Sequence, residues 1–335
     1  MALQAAKQPP SSSPLDRLAA LLRDDMLAVN ELIIDNMQSD VKLIPQLAGY
    51  LIASGGKRIR PLLTLACARL YGCRDERPYG LAASVEFIHT ATLLHDDVVD
   101  GSEERRGKDA ANLVFGNQAS VLVGDFLFSR AFQLMVRDGS IEVLRILSEA
   151  ASTITQGEVM QLTTANDTKT TLEDYIEVIS AKTAALFAAT CEIGPVIANR
   201  PEHATAMRGY GLNLGIAFQI ADDVLDYSAD QALLGKTVGD DFREGKMTAP
   251  VILALKDATD EERVFWQRTI AGKSQTEGDL KTAQNILKRH NALEQSLKLA
   301  SDYGDKARAA LAGAGKSELS SLLDELINFS TRRGH

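Results

Sequence analysis

The sequence LHDDVVD at residues 94–100 contains an acidic motif that returns as QIADDVLD at residues 219–226. Each copy is Asp-Asp-x-x-Asp within an apolar run, and on a helix its first and last aspartates share one face. The six aspartates are Asp96, Asp97, Asp100, Asp222, Asp223 and Asp226. Clustered carboxylates repel one another unless cations lie among them, and Mg²⁺ prefers carboxylate oxygens together with substrate phosphates. Two copies facing each other therefore predict a clamp for a diphosphate.

A single motif of this kind is more often a solvated helix face, so the flanking residues matter. Both copies are flanked by apolar residues, at 91–94 and 216–220, where a charge is costly unless it is paired or metal-bound. Both are also expected at helix C-termini, near Gly101 and 228–235, where the helix dipole disfavours anions. This repeated placement favours a site for bound cations.

The composition favours helices and argues against several classes of function. Hydrophobic residues make up 45% of the 335 residues and aromatic residues only 5%, which favours an all-α fold over a β sandwich or barrel. A net charge of −9 argues against a nucleic-acid-binding protein. The three cysteines, Cys67, Cys73 and Cys191, show no metal-type spacing. They indicate a reducing compartment, and we expect a cytoplasmic protein.

We expect a single domain at residues 15–335, preceded by a disordered tail at 1–14 that is rich in proline and serine. No apolar stretch of about 18 residues lacks charged or polar interruptions, so no membrane span is predicted. The periodicity predicts a bundle of roughly ten or more helices. The helices at 80–100 and 204–226 contain the acidic motifs and should be central.

Other elements are predicted from periodicity and punctuation. Further helices are expected at 15–37, 61–70, 117–137 and 141–162. Thr170 and Glu173 are predicted to form a capping box at the start of another helix. The segments 101–109 and 228–248 are predicted to be charged or polar loops. The second is long for a loop in a compact domain, which indicates a functional role. No alternation typical of strands is present.

Basic residues lie near the acidic motifs, as expected if the ligand is an anion. They are the basic residues of GGKRIRP at residues 55–61 together with Arg105, Arg106, Lys182, Lys236 and Lys246. Arginine binds phosphate oxygens in a bidentate manner, and lysine acts as a point charge. Other interpretations stay open for single residues. The segment 55–61 is also typical of a solvated helix start, Lys182 could extend to the surface, and His89 could be structural.

Together these motifs resemble the trans-isoprenyl diphosphate synthase family over about residues 15–330. Residues 96–107 are similar to its first aspartate-rich region, 218–226 to its second, and 55–61 to its isopentenyl diphosphate site. The resemblance implies an all-α fold around a central cavity, a homodimer, and three Mg²⁺ ions bound with the diphosphate. It also implies head-to-tail condensation of isopentenyl diphosphate with an allylic diphosphate, either farnesyl or geranyl diphosphate.

The resemblance further implies a role for each matching residue. The metal ligands would be Asp96, Asp100 and Asp222. The catalytic residues would be these three with Asp97, Asp223, Asp226, Lys182 and Lys246. The substrate-binding residues would be Gly56, Lys57, Arg60, His89, Arg105, Arg106, Lys182, Thr183, Gln219 and Lys236. No nucleophilic serine or cysteine is needed.

The length of the product is expected to depend on side chains below the first motif. One helical turn advances about 5.4 Å, so Thr92 and Ala91 should point down the cavity beneath Asp96. In the resembled family a bulky aromatic residue near this level stops the chain early. The small Ala91 therefore predicts an octaprenyl to decaprenyl product for quinone side chains, which would be handed to a membrane. Phe132 or Met135 is the next predicted floor.

Three alternatives stay open at this point. Ala91 could be a packing residue with Phe87 as the stopper, and the product would then be geranylgeranyl or farnesyl diphosphate. A terpene cyclase shares the all-α fold, but it would not be expected to keep a second complete acidic motif or the 55–61 segment. A non-catalytic partner subunit would be expected to have lost carboxylates, whereas this chain keeps all six.

Overall fold

Two long helices at the centre of the protein carry the acidic motifs. The computed structural model describes residues 13–53, 56–105, 107–228 and 238–331. Helix α5 spans Arg77–Val99 and helix α11 spans Ala204–Tyr227. Side chains on most sides of both helices are buried, as expected for helices that are apolar nearly all round. The predicted central position of both helices is confirmed.

The remaining helices pack around α5 and α11. Before α11 these are α1 (Pro14–Leu21), α2 (Arg23–Asn36), α3 (Leu43–Ala53), α4 (Ile59–Leu70), α6 (Ala111–Phe115), α7 (Asn117–Asp138), α8 (Ile141–Thr164), α9 (Leu172–Ile179) and α10 (Ala185–Ile197). After it come α12 (Asp240–Glu244), α13 (Ala249–Lys256), α14 (Asp260–Trp266), α15 (Asp279–Arg289), α16 (Ala292–Leu311) and α17 (Glu318–Thr331). The described ranges also contain two π-helical turns, at Ser180–Ala184 and Gln267–Ala271, and two 3-10 turns, at Pro201–His203 and Ala312–Ala314. The predicted all-α fold is confirmed.

A short hairpin follows the first acidic motif. Strands β1 (Glu104–Arg105) and β2 (Lys108–Asp109) pair antiparallel, and they are the only strands in the described part of the chain. They lie in the predicted charged loop, where two-residue strands are too short to produce a recognisable alternation. The hairpin reverses the chain within a few residues of Asp100.

The largest hydrophobic cluster extends from the first described helix to the last. It includes Leu15 of α1 and Leu322 of α17, and an ion pair of Arg17 with Glu325 at 2.7 Å links the same helices. Helix α10 contacts both α5 and α11, so it joins the two central helices within this core. The packing of α1 is therefore completed by the last helix of the chain.

The N-terminal boundary differs from the prediction. Ser13 caps α1 through reciprocal hydrogen bonds with Asp16, and Pro14 occupies the first helical position, which suits its fixed φ angle. The end of the predicted tail therefore belongs to the fold, and residues 1–12 lie outside the described residues. The predicted helix 15–37 is divided at Leu22 into α1 and α2.

Two further predictions required correction. The capping box of α9 lies one residue later than expected, because Thr171 and Asp174 exchange the hydrogen bonds. The reason is local: either threonine could cap, and an acidic residue follows three positions after each. The described end of the long polar loop, residues 238–248, contains the short helix α12.

One helix resembles a membrane span in composition. Helix α7 is the single described helix that is long and apolar enough to cross a bilayer, and 44% of its most apolar window is buried within the protein. Core helices of globular proteins pass the same test, so this is weak evidence for a span. The exposed side of α7 includes the large apolar side chains of Val121, Leu122, Phe132 and Val136.

Candidate active site

The first motif divides its carboxylates between two environments. Asp96 and Asp100 are half-buried, and their carboxylates lie 3.9 Å from the ammonium groups of Lys182 and Lys246 respectively. Neither carboxylate accepts a hydrogen bond from any described residue. Burial raises the pKa of Asp96, and the charge of Lys182 opposes this rise. Both carboxylates are therefore available to a ligand that brings positive charge.

Asp97, between them, is fully buried and paired inside the protein. Its Oδ1 accepts a hydrogen bond from Nε of Arg105 at 2.5 Å, and its carbonyl accepts one from Nδ2 of Asn112 at 3.1 Å. Burial raises the pKa of Asp97, while Arg105 lowers it. Because Arg105 lies on β1, Asp97 anchors the hairpin to the end of α5. Arg105, predicted to bind diphosphate, thus uses one nitrogen internally, and 30% of its side chain stays exposed.

Asp223 of the second motif is also held within the protein. Its Oδ2 accepts a hydrogen bond from the Tyr175 hydroxyl at 2.5 Å, and its Oδ1 accepts one from Nε2 of Gln219 at 2.7 Å. Burial raises the pKa of Asp223 to about 7, although both hydrogen bonds act to lower it. Gln219 in turn accepts a hydrogen bond from the Thr183 hydroxyl at 2.9 Å. Asp223 therefore orders its surroundings and is not open to a ligand.

The other two carboxylates of the second motif differ from each other. Asp226 accepts hydrogen bonds from the backbone amides of Asp240 and Asp241, at 3.2 and 3.0 Å, and so holds the start of α12. Asp222 is half-buried and makes no hydrogen bond or ion pair with any residue in the described ranges. The second motif thus leaves one carboxylate, that of Asp222, available to a ligand.

Lys182 and Thr183 lie on the π-helical turn between α9 and α10. Such turns are frequent at functional sites because they break the regular spacing of side chains. Nζ of Lys182 lies 2.7 Å from a carboxylate oxygen of Glu158 on α8. Burial raises the pKa of Glu158, and Lys182 opposes this rise. Glu158 therefore holds Lys182 beside the first motif.

Lys246 links the two motifs electrostatically. It follows α12, its Nζ lies 3.9 Å from Asp100 and 3.9 Å from Asp241, and it forms an ion pair with Glu244. Burial lowers the pKa of Lys246, but Asp241 and Glu244 raise it more strongly, so the ammonium stays charged. The charge of Lys246 also acts to lower the pKa of Asp223 in the second motif. The structure thus brings both acidic motifs towards one lysine.

The predicted isopentenyl diphosphate segment is anchored to two helices. Arg58 has a left-handed backbone, with φ of 47°, at the start of α4, and its side chain pairs with Glu86 of α5 at 2.6 Å. The Arg60 guanidinium lies 4.5 Å from the ring centroid of Phe187 on α10, a distance typical of cation–π attraction. These contacts fix the two arginines of the segment relative to α5 and α10.

The remaining predicted substrate-binding residues vary in position. Gly56 and Lys57 are exposed just before α4, and His89 is half-buried one turn after Glu86 on α5. Arg106 and Lys236 lie outside the described residues. Their predicted roles therefore rest on the sequence.

The predicted chain-length residues fall into two groups. Ala91 is fully buried on α5, and Met135 is buried on α7. Thr92 is half-buried, and its hydroxyl donates a hydrogen bond to the carbonyl of His89 at 2.8 Å. Phe132 is 41% exposed on α7. Phe132 is therefore not an enclosed floor within the single chain, because its position on α7 directs it to the outer face, whereas Met135 stays a candidate.

The available carboxylates fit Mg²⁺ that binds together with a substrate. Across the described ranges, no group of three or more His, Cys, Asp and Glu side chains converges into a protein-only metal cage. Mg²⁺ is usually held by one or two carboxylates, waters and substrate phosphates. Asp96, Asp100 and Asp222 can supply oxygen ligands of that kind, since their carboxylates lack hydrogen bonds to described residues.

The sequence reasoning missed residues that hold the predicted lysines and aspartates in place, among them Glu158 and Tyr175. Glu158 follows Gly157, and a glycine inside a helix indicates a close approach. A Cβ added at Gly157 would lie 2.5 Å from the backbone nitrogen of Lys182, so this signal pointed to the π-helical turn. Tyr175 gives no such signal, because it lies 48 residues before Asp223 in an ordinary amphipathic helix.

Comparisons with known proteins identify the family of the chain. Residues 41–287 match the polyprenyl synthetase family. The chain is 45% identical over 298 residues to the octaprenyl diphosphate synthase of Escherichia coli (strain K12), which covers 89% of this chain and 92% of that protein. A solved decaprenyl diphosphate synthase from Rhodobacter capsulatus has a TM-score of 0.92 and 49% identity, covering 96% of this chain and 100% of that chain. A polyprenyl synthase from Caulobacter crescentus CB15, complexed with calcium and isoprenyl diphosphate, has a TM-score of 0.92 and 52% identity, covering 96% and 99%.

The fold and the relatives together define a prenyltransferase. The chain belongs to the polyprenyl synthetase family, whose members condense isopentenyl diphosphate with an allylic diphosphate. The predicted family and enzyme class are confirmed.

Proposed function

We propose that this chain is a long-chain trans-polyprenyl diphosphate synthase with an octaprenyl to decaprenyl product for quinone side chains. The observation that supports this most directly is that Asp96 and Asp100 lie beside Lys182 and Lys246. Lys246 also acts on Asp223, the neighbour of Asp222, and Asp96, Asp100 and Asp222 lack hydrogen bonds to described residues. The octaprenyl and decaprenyl names of the similar proteins support the product range.

The reaction begins when the bond between the allylic carbon and the diphosphate oxygen breaks. The diphosphate leaves with the electron pair, and Lys182 and Lys246 stabilise the charge that develops on it. Mg²⁺, as three ions held by Asp96, Asp100 and Asp222, would supply further positive charge to the same oxygens. The calcium in the Caulobacter protein supports a divalent cation, because both ions prefer oxygen ligands.

The second substrate then captures the allylic cation. Lys57, Arg60 and His89 would bind isopentenyl diphosphate with its double bond facing the cation, and a carbon–carbon bond forms. The released diphosphate accepts the proton that the new chain loses. Thr183 and Gln219, next to Lys182, would contact the allylic substrate.

An assay with farnesyl diphosphate, isopentenyl diphosphate and Mg²⁺ tests this function, with products separated by length after dephosphorylation. We expect a ladder that ends at octaprenyl to decaprenyl and that disappears on chelation with EDTA. A stop at geranylgeranyl would retain prenyl transfer but contradict the product length. Hydrocarbon formed from farnesyl diphosphate alone would indicate a terpene cyclase.

The role of Ala91 in product length has its own test. Ala91→Phe places a large ring at a fully buried position one turn before the first motif, so the product should become shorter by several isoprene units. Ala91→Ser, which keeps the volume small, is the matched control and should keep the wild-type product. An unchanged product from the phenylalanine variant would place the tail elsewhere.

We further propose a homodimer formed through the outer face of α6, α7 and α8. Large apolar side chains are exposed along these helices: Leu113, Val114, Val121, Leu122, Phe132, Val136, Ile141, Val159 and Leu162. An apolar surface of this extent generally marks an interaction site. A second copy of the chain is the occupant that the family resemblance implies, and it would cover the apolar face of α7.

Light scattering after size exclusion tests the dimer. Val136→Glu, at a position 64% exposed, should shift the protein towards the monomer mass, because it introduces a charge into the proposed interface. Val264→Glu, at a position 69% exposed on α14, is the control and should leave the mass unchanged. A wild-type monomer would contradict the interface. We also propose a cytoplasmic location, which the three free, buried cysteines support.

A further inference from the structure

A chain of three hydrogen bonds leads from α9 to the π-helical turn. The Tyr175 hydroxyl donates to Asp223, Gln219 donates to the same carboxylate, and the Thr183 hydroxyl donates to Gln219. The order fixes the amide of Gln219, because its NH₂ group faces a carboxylate and its oxygen must face a hydroxyl. Thr183 is therefore oriented by Gln219 and Asp223, and this network ends at Tyr175, which belongs to no predicted site.

The backbone of the π-helical turn is confined from two sides by glycines. A Cβ added at Gly157 of α8 would lie 2.5 Å from the nitrogen of Lys182, and one added at Gly215 of α11 would lie 2.7 Å from Cα of Ala184. Neither approach leaves space for a side chain. With the backbone confined in this way, the side-chain hydrogen bonds decide the orientation of Thr183.

Tyr175 is placed for this purpose by its own packing. It is 4% exposed and belongs to a small apolar cluster that also contains Ala184 of the turn and Ile216 and Ile220 of α11. Phenylalanine would satisfy the same apolar contacts, so burial alone does not account for the hydroxyl. The hydroxyl is accounted for by Asp223, whose buried carboxylate needs donors.

We propose that Tyr175 is a positioning residue for prenyl transfer, which acts through Asp223 and Gln219 to orient Thr183 on the turn that carries Lys182. The inference rests on the proposed function, since Lys182 and Thr183 are there assigned to the allylic substrate. Tyr175 does not touch the substrate. Its removal should therefore slow the chemical step and leave substrate binding largely intact.

Tyr175→Phe removes one hydroxyl, and the chain contains a matched control. Tyr210 is fully buried on α11, and its hydroxyl donates to the carbonyl of Leu323 at 2.9 Å, away from the acidic motifs. We expect Tyr175→Phe to lower kcat about 10-fold to 100-fold, with KM for both diphosphates changed less than about threefold, because small misplacements at a reacting centre are costly. Tyr210→Phe should leave both constants unchanged. Equal kcat values in the two variants would overturn the proposal.

A double-mutant cycle with Asp223→Asn separates positioning from stability. If Tyr175 acts through Asp223, the double variant should have the kcat of Asp223→Asn alone, and losses that multiply would overturn the proposal. The same comparison applies if Tyr175→Phe does not fold, since Asp223→Asn removes the buried charge that has lost the Tyr175 hydroxyl. Failure of the wild-type protein to transfer prenyl groups would refute the proposed function itself. If the wild type is active and Tyr175→Phe has the same kcat as the wild type, only this inference is refuted.

Discussion

The two acidic motifs contain the same aspartates but use them differently. In the first motif only the carboxylate of Asp97 accepts a hydrogen bond from a described residue, Arg105. Asp96 and Asp100 each lie 3.9 Å from a lysine ammonium and stay available to a ligand. In the second motif two carboxylates are engaged, Asp223 by side chains and Asp226 by backbone amides, and only Asp222 stays available. The motif therefore combines two functions, binding and anchoring, in proportions that differ between its copies.

The difference follows from what each helix end must hold in place. Helix α5 is followed by a hairpin, which one arginine attaches to Asp97. Helix α11 is followed by the segment that contains α12 and Lys246, and Asp226 attaches it through the backbone. The aspartates of these motifs therefore have two roles: some hold the following segment in place through hydrogen bonds, and others are available to bind a cation.

The largest effect should come from the available carboxylates of the first motif. Asp96→Asn or Asp100→Asn should lower kcat by about 10³-fold, comparable to removal of one group that stabilises charge in the transition state. The melting temperature should change little, because neither carboxylate accepts a hydrogen bond from a described residue. Steady-state kinetics and thermal unfolding check this. Asp305→Asn, at an exposed side chain on α16, is the control. Near-normal turnover in Asp96→Asn would contradict the division of the first motif into ligand-binding and anchoring aspartates.

The anchoring carboxylate of the first motif should affect stability next most strongly. Arg105→Ala leaves the fully buried Asp97 without its charged partner, which should cost about 3 kcal/mol of the free energy of unfolding. Urea unfolding measures this loss. Arg145→Ala, which breaks two exposed ion pairs on α8, should have no measurable effect. A stability loss of the same size in both variants would refute the anchoring role of Asp97.

Adjacent aspartates of the second motif should separate stability from activity. Asp223→Ala leaves the Tyr175 hydroxyl and the Gln219 amide without an acceptor, at a cost of about 2 kcal/mol in stability. Asp222→Ala should leave stability nearly unchanged and abolish most activity. Unfolding and turnover are measured for both variants. Equal stability losses at the two positions would show that the second motif is not divided.

The smallest effect should come from Glu158, which holds Lys182. Glu158→Gln keeps a hydrogen-bond acceptor but removes the charge, and it should lower kcat about fivefold, or about 1 kcal/mol in the barrier. Glu149→Gln, at an exposed carboxylate on the same helix, should behave as wild type. A wild-type rate in Glu158→Gln would indicate that Lys182 needs no partner.

The sequence predicted the class of fold and the six aspartates but not the division among them. Apolar periodicity and motif spacing are local properties of the sequence. The helices α5 and α11 and the aspartates at their ends could therefore be predicted from it. The partners of Asp97 and Asp223 depend on which distant segment packs there: Tyr175 and Asp223 are 48 residues apart. The predicted cap of α9 was wrong by one residue, because Thr170 and Thr171 are each followed three positions later by an acidic residue.

The joining of the first and last helices in one core also has a consequence for synthesis. Leu15 and Leu18 belong to the same cluster as Leu322, and Arg17 pairs with Glu325, 308 positions later. The helix that covers α1 is therefore translated about 300 residues after it. The nascent chain must therefore keep an unfinished apolar surface for nearly the whole of translation, a period in which chaperones and premature aggregation compete for it.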